Sequence, residues 1–171
     1  MFEVNAYLSA DTRGPAMQEA WFAWVLECKR RNGQTETREG FGKLTDTENR
    51  INIRAFGIML ARLRAPCRIN LYTNSRHLHA VLANGWLAGW AENGWKNSSG
   101  KEIKNRDLWE GSWEWIKPHE IIPALEKEHA YSSWMRMEIK SRTEKDREWS
   151  ELQKKMEETL NEEKAGEPNG S

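Results

Sequence analysis

The sequence predicts an α/β fold: a mixed five-stranded sheet flanked by helices, with a long C-terminal helix. Three observations predict it. The chain opens with three strand-length segments joined by short turns, the pattern of antiparallel hairpins. Two later strand-length segments, 67–72 and 120–125, each follow helical spacing, which calls for crossover connections and parallel neighbours. From Ser132 to about Glu163 the periodicity is helical while the composition turns strongly charged.

Each element has its own justification. Residues 4–9 alternate in polarity and are short, a first strand; 10–15, with Asp11, Gly14 and Pro15, read as a turn. Residues 20–29 are apolar through "WFAWVLE", so this strand is buried in part on both faces. Asn32-Gly33 supplies the positive φ angles of a tight type I′ turn, and 35–41 returns as a polar strand near an edge. Thr45, Asp46 and Thr47 offer N-caps for a helix over 47–64, whose apolar stripe is Ile53, Phe56, Leu60 and Leu63. A fourth strand (67–72) leads into a second helix (75–83), and 84–105 reads as a loop rich in Trp, Lys, Gly and Asn. An amphipathic helix over 107–116 and a strand over 120–125 complete the domain.

Composition narrows the function classes. Twenty-six basic and 26 acidic residues balance, so no global field steers the chain toward nucleic acid or membrane. Cys28 and Cys67 stand alone, without the spacing of a metal site or redox pair, and read as reduced, buried residues of a cytoplasmic protein. No apolar run is long enough for a membrane span, so a soluble chain is expected. Ten tryptophans are unusual, and Trp86, Trp90, Trp95 and Trp109 crowd one polar stretch. Trp86 and Trp109 are expected to pack helices together, Trp90 and Trp95 to lie nearer the surface.

That stretch carries a resemblance. "GWLAGWAENGWKNSSGKEIKNRDLWE", residues 85–110, resembles the basic protrusion of type 1 ribonucleases H: W-x3-W-x3-G-W-K, a Lys/Gly turn, then K-N-x-D-L-W. "TENRINI" opening the first helix and "YTNS" closing the fourth strand fit the same family, over about residues 3 to 138. The resemblance implies one RNase H-like domain over 1–138, with the protrusion at 85–105. The charged helix and tail over 139–171, ending in "AGEPNGS", lie outside it and read as a solvated helix fraying into disorder, or as a helix that recruits a partner or self-associates.

The family cuts the RNA strand of RNA–DNA hybrids with four carboxylates that hold two Mg²⁺ ions. Here the Glu of its T-N-N-R-x-E-L pattern is matched by Asn52, and the Asp of Y-x-D-S by Asn74. The first-strand acid is matched by Ser9 without a gap, or by Asp11 if the Gly14-Pro15 turn anchors the match. His129 in "EKEHA" is matched to the mobile His beside the active site, and the last acid is either Glu138 or missing. Glu48, one turn before Asn52, is a candidate relocated carboxylate. The degenerate site set is therefore Asp11, Glu48, Asn52, Asn74, His129 and Glu138, with Asp11, Asn74 and Glu138 as weak metal ligands for Mg²⁺ or Mn²⁺.

The binding half is better preserved. Lys96, Lys101 and Lys104, with Arg106, offer phosphate contacts, and Trp90 and Trp95 offer flat faces. Asn49 matches an Asn that the family uses in the minor groove; Arg13, Thr47 and Ser75 are candidate phosphate or sugar contacts. Three readings follow. The chain binds RNA–DNA hybrid or similar duplex with hydrolysis lost or weak; it is an active Mg²⁺-dependent hybrid endoribonuclease with rearranged carboxylates; or it is a non-catalytic module acting through its C-terminal helix.

Overall fold

A computed structural model describes residues 1–167; the last four residues of the predicted tail lie outside the described residues. The elements are β1 (Phe2–Ala10), β2 (Gln18–Lys29), β3 (Thr35–Asp46), α1 (Glu48–Leu60), β4 (Cys67–Thr73), α2 (Arg76–Ala83), α3 (Trp86–Glu92), α4 (Arg106–Ile116), β5 (Glu120–Leu125) and α5 (Ser132–Gly166). One five-stranded sheet has the order β3-β2-β1-β4-β5. The β1–β2 and β2–β3 pairs are antiparallel, and the β1–β4 and β4–β5 pairs are parallel. The expected mixed sheet is thus present, with the polar third strand at one edge. Pro123 sits in β5 at the other edge, where a missing N–H costs least. The chain divides into two compact units, Met1–Met135 and Arg136–Ser171.

Alternation in β1 fixes which side chains share a face. Val4, Ala6, Leu8 and Ala10 join Phe22, Trp24 and Leu26 of β2, Ile69 and Leu71 of β4, and Ile51, Phe56, Met59 and Leu60 of α1 in one core. β3 answers the two large rings of β2 with glycine. Gly40 pairs with Trp24 and Gly42 with Phe22, and a Cβ at either position would collide with the facing ring.

Three local expectations are corrected. The first hairpin is not a type I′ turn: Gly33 has φ 82° but Asn32 is absent from the positive-φ residues. Its N–H donates to Arg30 O, and Arg30 N–H donates to Gln34 O, so three residues, 31–33, close the loop with glycine in the left-handed position. β3 continues to Asp46, because Lys43–Asp46 still pair with Gln18–Trp21 of β2. Within 84–105 a short helix, α3, forms after Gly85, which takes the left-handed conformation at its N-terminus.

The candidate site at the strand ends and the tryptophan protrusion

The register of β1 against β4 builds the site. On the sheet face turned away from α1, Asn70 Nδ2 donates to Asn5 Oδ1 at 3.1 Å, and the Tyr7 and Tyr72 rings stack at 4.8 Å. Leu8 pairs with Thr73 on the core face, so the next rung sets Ser9 level with Asn74. Asn74 is exposed, and both ends of its amide turn to the neighbouring strand: Oδ1 accepts from Ala10 N at 3.5 Å and Nδ2 donates to Ala10 O at 3.2 Å. Asp11 lies beyond this rung, exposed, its N–H donating to Trp21 O at 2.8 Å.

His129 closes the site from the segment after β5. Its Nε2 lies 2.8 Å from Ser9 Oγ, and Tyr131 N–H donates to its Nδ1 at 3.1 Å. An Nδ1 that accepts carries no proton in the neutral ring, so Nε2–H donates to the serine. Ser132 Oγ accepts from His129 N at 2.8 Å and ties the backbone of this turn. Around it the Tyr7 and Tyr131 rings meet edge-on, and Tyr131 OH donates to Glu27 Oε2 at 2.6 Å. The hydrogen bond to the Glu27 carboxylate, with burial, pushes the Tyr131 phenol up to about 12. Burial, followed by the same carboxylate, raises that of Tyr7. This tyrosine cluster was not anticipated from sequence, although Tyr7 and Tyr72 precede the two matched positions by two residues each.

Two further candidates belong to α1. Asn52 is buried, its Nδ2 donating to Glu48 O at 3.0 Å, while its Oδ1 has no hydrogen-bond partner among the described residues. The Glu48 carboxylate is turned to Thr12, whose hydroxyl donates to it at 2.6 Å. Thr47 caps α1 through the Arg50 N–H and Ser75 caps α2 through the Leu78 N–H, so both hydroxyls have local work. Asn49 is half-buried and Arg13 exposed. Glu138, in the second unit, accepts from Arg142 Nη1 at 2.7 Å on its own helix. Among the described residues, no group of three or more His, Cys, Asp or Glu is placed to hold a metal ion.

The protrusion is built around Trp95. Contrary to expectation it is only 7% exposed, whereas Trp86 is 45% exposed. Trp95 has φ 60°, its N–H donates to Trp90 O at 2.7 Å, and its ring meets Trp113 edge-on. That positive φ aims the ring inward, a turn that helical spacing does not report. Trp86 lies against Trp90 with centroids 5.8 Å apart, and Trp109 is fully buried as expected. Lys96, Lys101 and Lys104 are exposed and have no ion pair among the described residues, whereas Arg106 is held by Glu102 and Glu110. Arg50 fastens α1 to α4 with a two-pronged bond to Asp107 at 2.9 and 2.7 Å, which depresses the Asp107 carboxyl. Asn105, N-cap of α4 at φ 62°, leaves its Nδ2 buried without a partner among the described residues. It sits inside the K-N-x-D-L-W match, which is the signal that could have singled it out.

A sheet of this order, with paired polar residues at the β1 and β4 ends and a tryptophan-built arm, defines an RNase H-like domain. The RNase H family model matches residues 19–132, and the chain belongs to the ribonuclease H family. It is 39% identical over 137 residues to ribonuclease H of Nitratidesulfovibrio vulgaris strain Miyazaki F, covering 74% of this chain and 85% of that one. It is 34% identical over 129 residues to ribonuclease HI of Xylella fastidiosa, covering 70% and 82%. Among solved structures, a type 1 RNase H with the type 2 active-site motif superposes with TM-score 0.60 at 22% identity, over 75% of this chain and 64% of that one. A foamy viral protease-reverse transcriptase in complex with dsDNA gives TM-score 0.53 at 18% identity, over 80% and 87%. No helix among the described residues is long and apolar enough to cross a membrane.

Proposed function

We propose that this chain binds RNA–DNA hybrid, or a duplex of similar shape, without the metal-dependent hydrolysis of its relatives. The observation that carries the reading is the rung at the strand ends: serine stands level with asparagine, and His129 donates into the serine. Magnesium requires hard, preferably anionic oxygens. Ser9, Asn52 and Asn74 carry no charge, and both ends of the Asn74 amide already bond to Ala10. A magnesium pair does not fit these residues.

The grip is supported by the protrusion. Lys96, Lys101 and Lys104, exposed and without an ion pair among the described residues, offer three ammonium groups to phosphates, and the Trp86–Trp90 pair of the same arm offers flat surfaces. Trp95 acts from within, holding the arm in shape. Arg13, exposed, and Asn49, half-buried, offer further polar contacts around the strand ends, and the buried Asn105 amide N–H₂, without a partner among the described residues, lies near Arg50.

The hydrolytic alternative draws on the relatives, which are named ribonuclease H. It has to recruit Asp11, Glu48 or Glu138, of which Glu48 faces Thr12 and Glu138 faces Arg142. A third, independent role for α5 rests on Trp149, Leu152, Met156 and Leu160, all at least 49% exposed, which give it a seam for another chain.

The test is incubation of purified protein with a labelled RNA–DNA hybrid in Mg²⁺, Mn²⁺ and EDTA, scoring cleavage and retention separately. Retention that survives EDTA, falls steeply with salt and comes without cleavage is the expected result. Metal-dependent cleavage abolished in Asp11→Asn would establish the alternative instead.

A further inference from the structure

Beyond Ile139, its last buried residue, α5 runs on through the second unit with every residue from Thr143 to Glu167 exposed. Propensity and charge pairs hold a solvated helix, and neither calls for large apolar side chains. Trp149, Leu152, Met156 and Leu160 are nevertheless exposed on it, at steps of three, four and four. At about 100° per residue these steps keep the four within an arc of about 80°, a stripe roughly 16 Å long. Such spacing makes the seam of a contact between helices rather than a scatter of surface residues.

Charge along the helix names the occupant. Residues 140–155 carry six basic and four acidic side chains, whereas residues 156–167 carry one basic and five acidic. The stripe itself ends in opposite signs: Lys145 stands four residues before Trp149, and Glu163 three residues after Leu160. Two copies laid parallel would set acidic end on acidic end. Laid antiparallel, each copy brings its acidic end to the basic end of the other. With Leu152 facing Met156 of a second copy, Trp149 falls beside Leu160 and Lys145 falls opposite Glu163 at both ends of the seam. The helix is complementary to itself, which a seam made for a foreign chain has no need to be.

We infer that α5 pairs antiparallel with the α5 of a second copy of this chain, with Leu152 and Met156 at the centre and Lys145–Glu163 contacts closing both ends. Four apolar side chains per copy fall well short of the roughly 20–30 residues a side of a standard interface, so the pairing is weak and concentration-dependent. The inference rests on the seam of α5 alone. Hybrid binding plays no part in it, and its test contains no nucleic acid.

Sedimentation velocity of the full-length protein over a range of concentrations is the test, and a monomer–dimer equilibrium is expected. Leu152→Ser/Met156→Ser should weaken it more than about tenfold, since four apolar side chains leave the paired seam. Lys145→Glu alone should weaken it by a smaller factor, and Lys145→Glu/Glu163→Lys should restore it. Loss of helix cannot imitate that rescue, and parallel pairing does not predict it. Orientation is read by mixing Lys145→Cys protein with Glu163→Cys protein under mild oxidation and mapping the disulfides by peptide mass. The crosslink between positions 145 and 163 should exceed those between like positions. A monomer at every concentration, association untouched by Leu152→Ser/Met156→Ser, no rescue by the charge exchange, or a predominant crosslink between two positions 145 would overturn the inference.

Discussion

Ser9 Oγ and His129 Nε2 meet at 2.8 Å across 120 residues of sequence. The pair joins the end of β1 to the turn after β5, and the Tyr131 N–H on Nδ1 makes the ring a donor toward the serine. Such an arrangement cannot make serine a nucleophile, since the nitrogen facing it already holds the proton. It is a tie. Ser9→Ala removes the acceptor, and a net cost of about 0.5–1.5 kcal/mol is expected, read by chemical denaturation. No loss of hybrid retention should accompany it.

If absence of charge is what bars divalent ions, charge restores them. The triple variant Ser9→Asp/Asn52→Glu/Asn74→Asp places three carboxylates at the strand ends and the first turns of α1. A Mg²⁺-dependent rise in melting temperature is expected in the variant and not in the parent, since a ligand bound only by the folded state stabilises it. Without Mg²⁺ the variant should melt lower than the parent, because the three anions then repel one another.

Much of this was legible in the sequence, for identifiable reasons. Hairpin turns, an apolar stripe on α1 and two crossovers are local patterns, and they carried the strand arrangement. Asn52 and Asn74 stand inside recognisable motifs. Which residue comes level with Asn74 was not local: it depends on how β1 pairs with β4, and one rung beyond the last pair, Leu8 with Thr73, that register brings Ser9 opposite it. The Tyr131–Glu27 bond spans 104 residues and leaves no trace in periodicity. The sequence places Trp86 and Trp95 the wrong way round, because spacing along the motif does not report the positive φ at Trp95.

The places of these two rings are measurable. Trp95→Ala empties the centre of the protrusion and should destabilise by about 3–5 kcal/mol, with melting temperature as the readout. Trp86→Ala, at a half-exposed ring, should leave stability nearly intact and weaken hybrid binding by about 1–3 kcal/mol, the worth of one stacked base. Equal stability losses in the two variants would refute the assignment of Trp95 inside and Trp86 outside.

The lysines make a separate prediction about salt. Lys96, Lys101 and Lys104 lack acidic partners among the described residues, so each is available to a phosphate. The triple variant Lys96→Gln/Lys101→Gln/Lys104→Gln should lower affinity and flatten the dependence of log K on log salt. The slope should fall by about 0.9 for each phosphate that the variant no longer neutralises. Fluorescence anisotropy on a labelled hybrid at several salt concentrations measures it, and an unchanged slope would move the phosphate-binding groups elsewhere.

His77 and His119 set the acid side of the stability curve. Burial lowers both imidazoles below their ordinary value, and Lys104 adds to the effect on His77. His77 Nε2 is buried without a partner among the described residues, with its ring 6.1 Å from that of Trp109. A folded state that resists protonation binds fewer protons than the unfolded chain once pH drops below the unfolded value, about 6.5. Stability is therefore full above that pH and is lost progressively as pH falls through the lowered folded values. Melting temperature should decline as pH falls below about 6.5, and His77→Phe should flatten part of that decline. A decline of the same steepness in the variant would assign the proton uptake to His119.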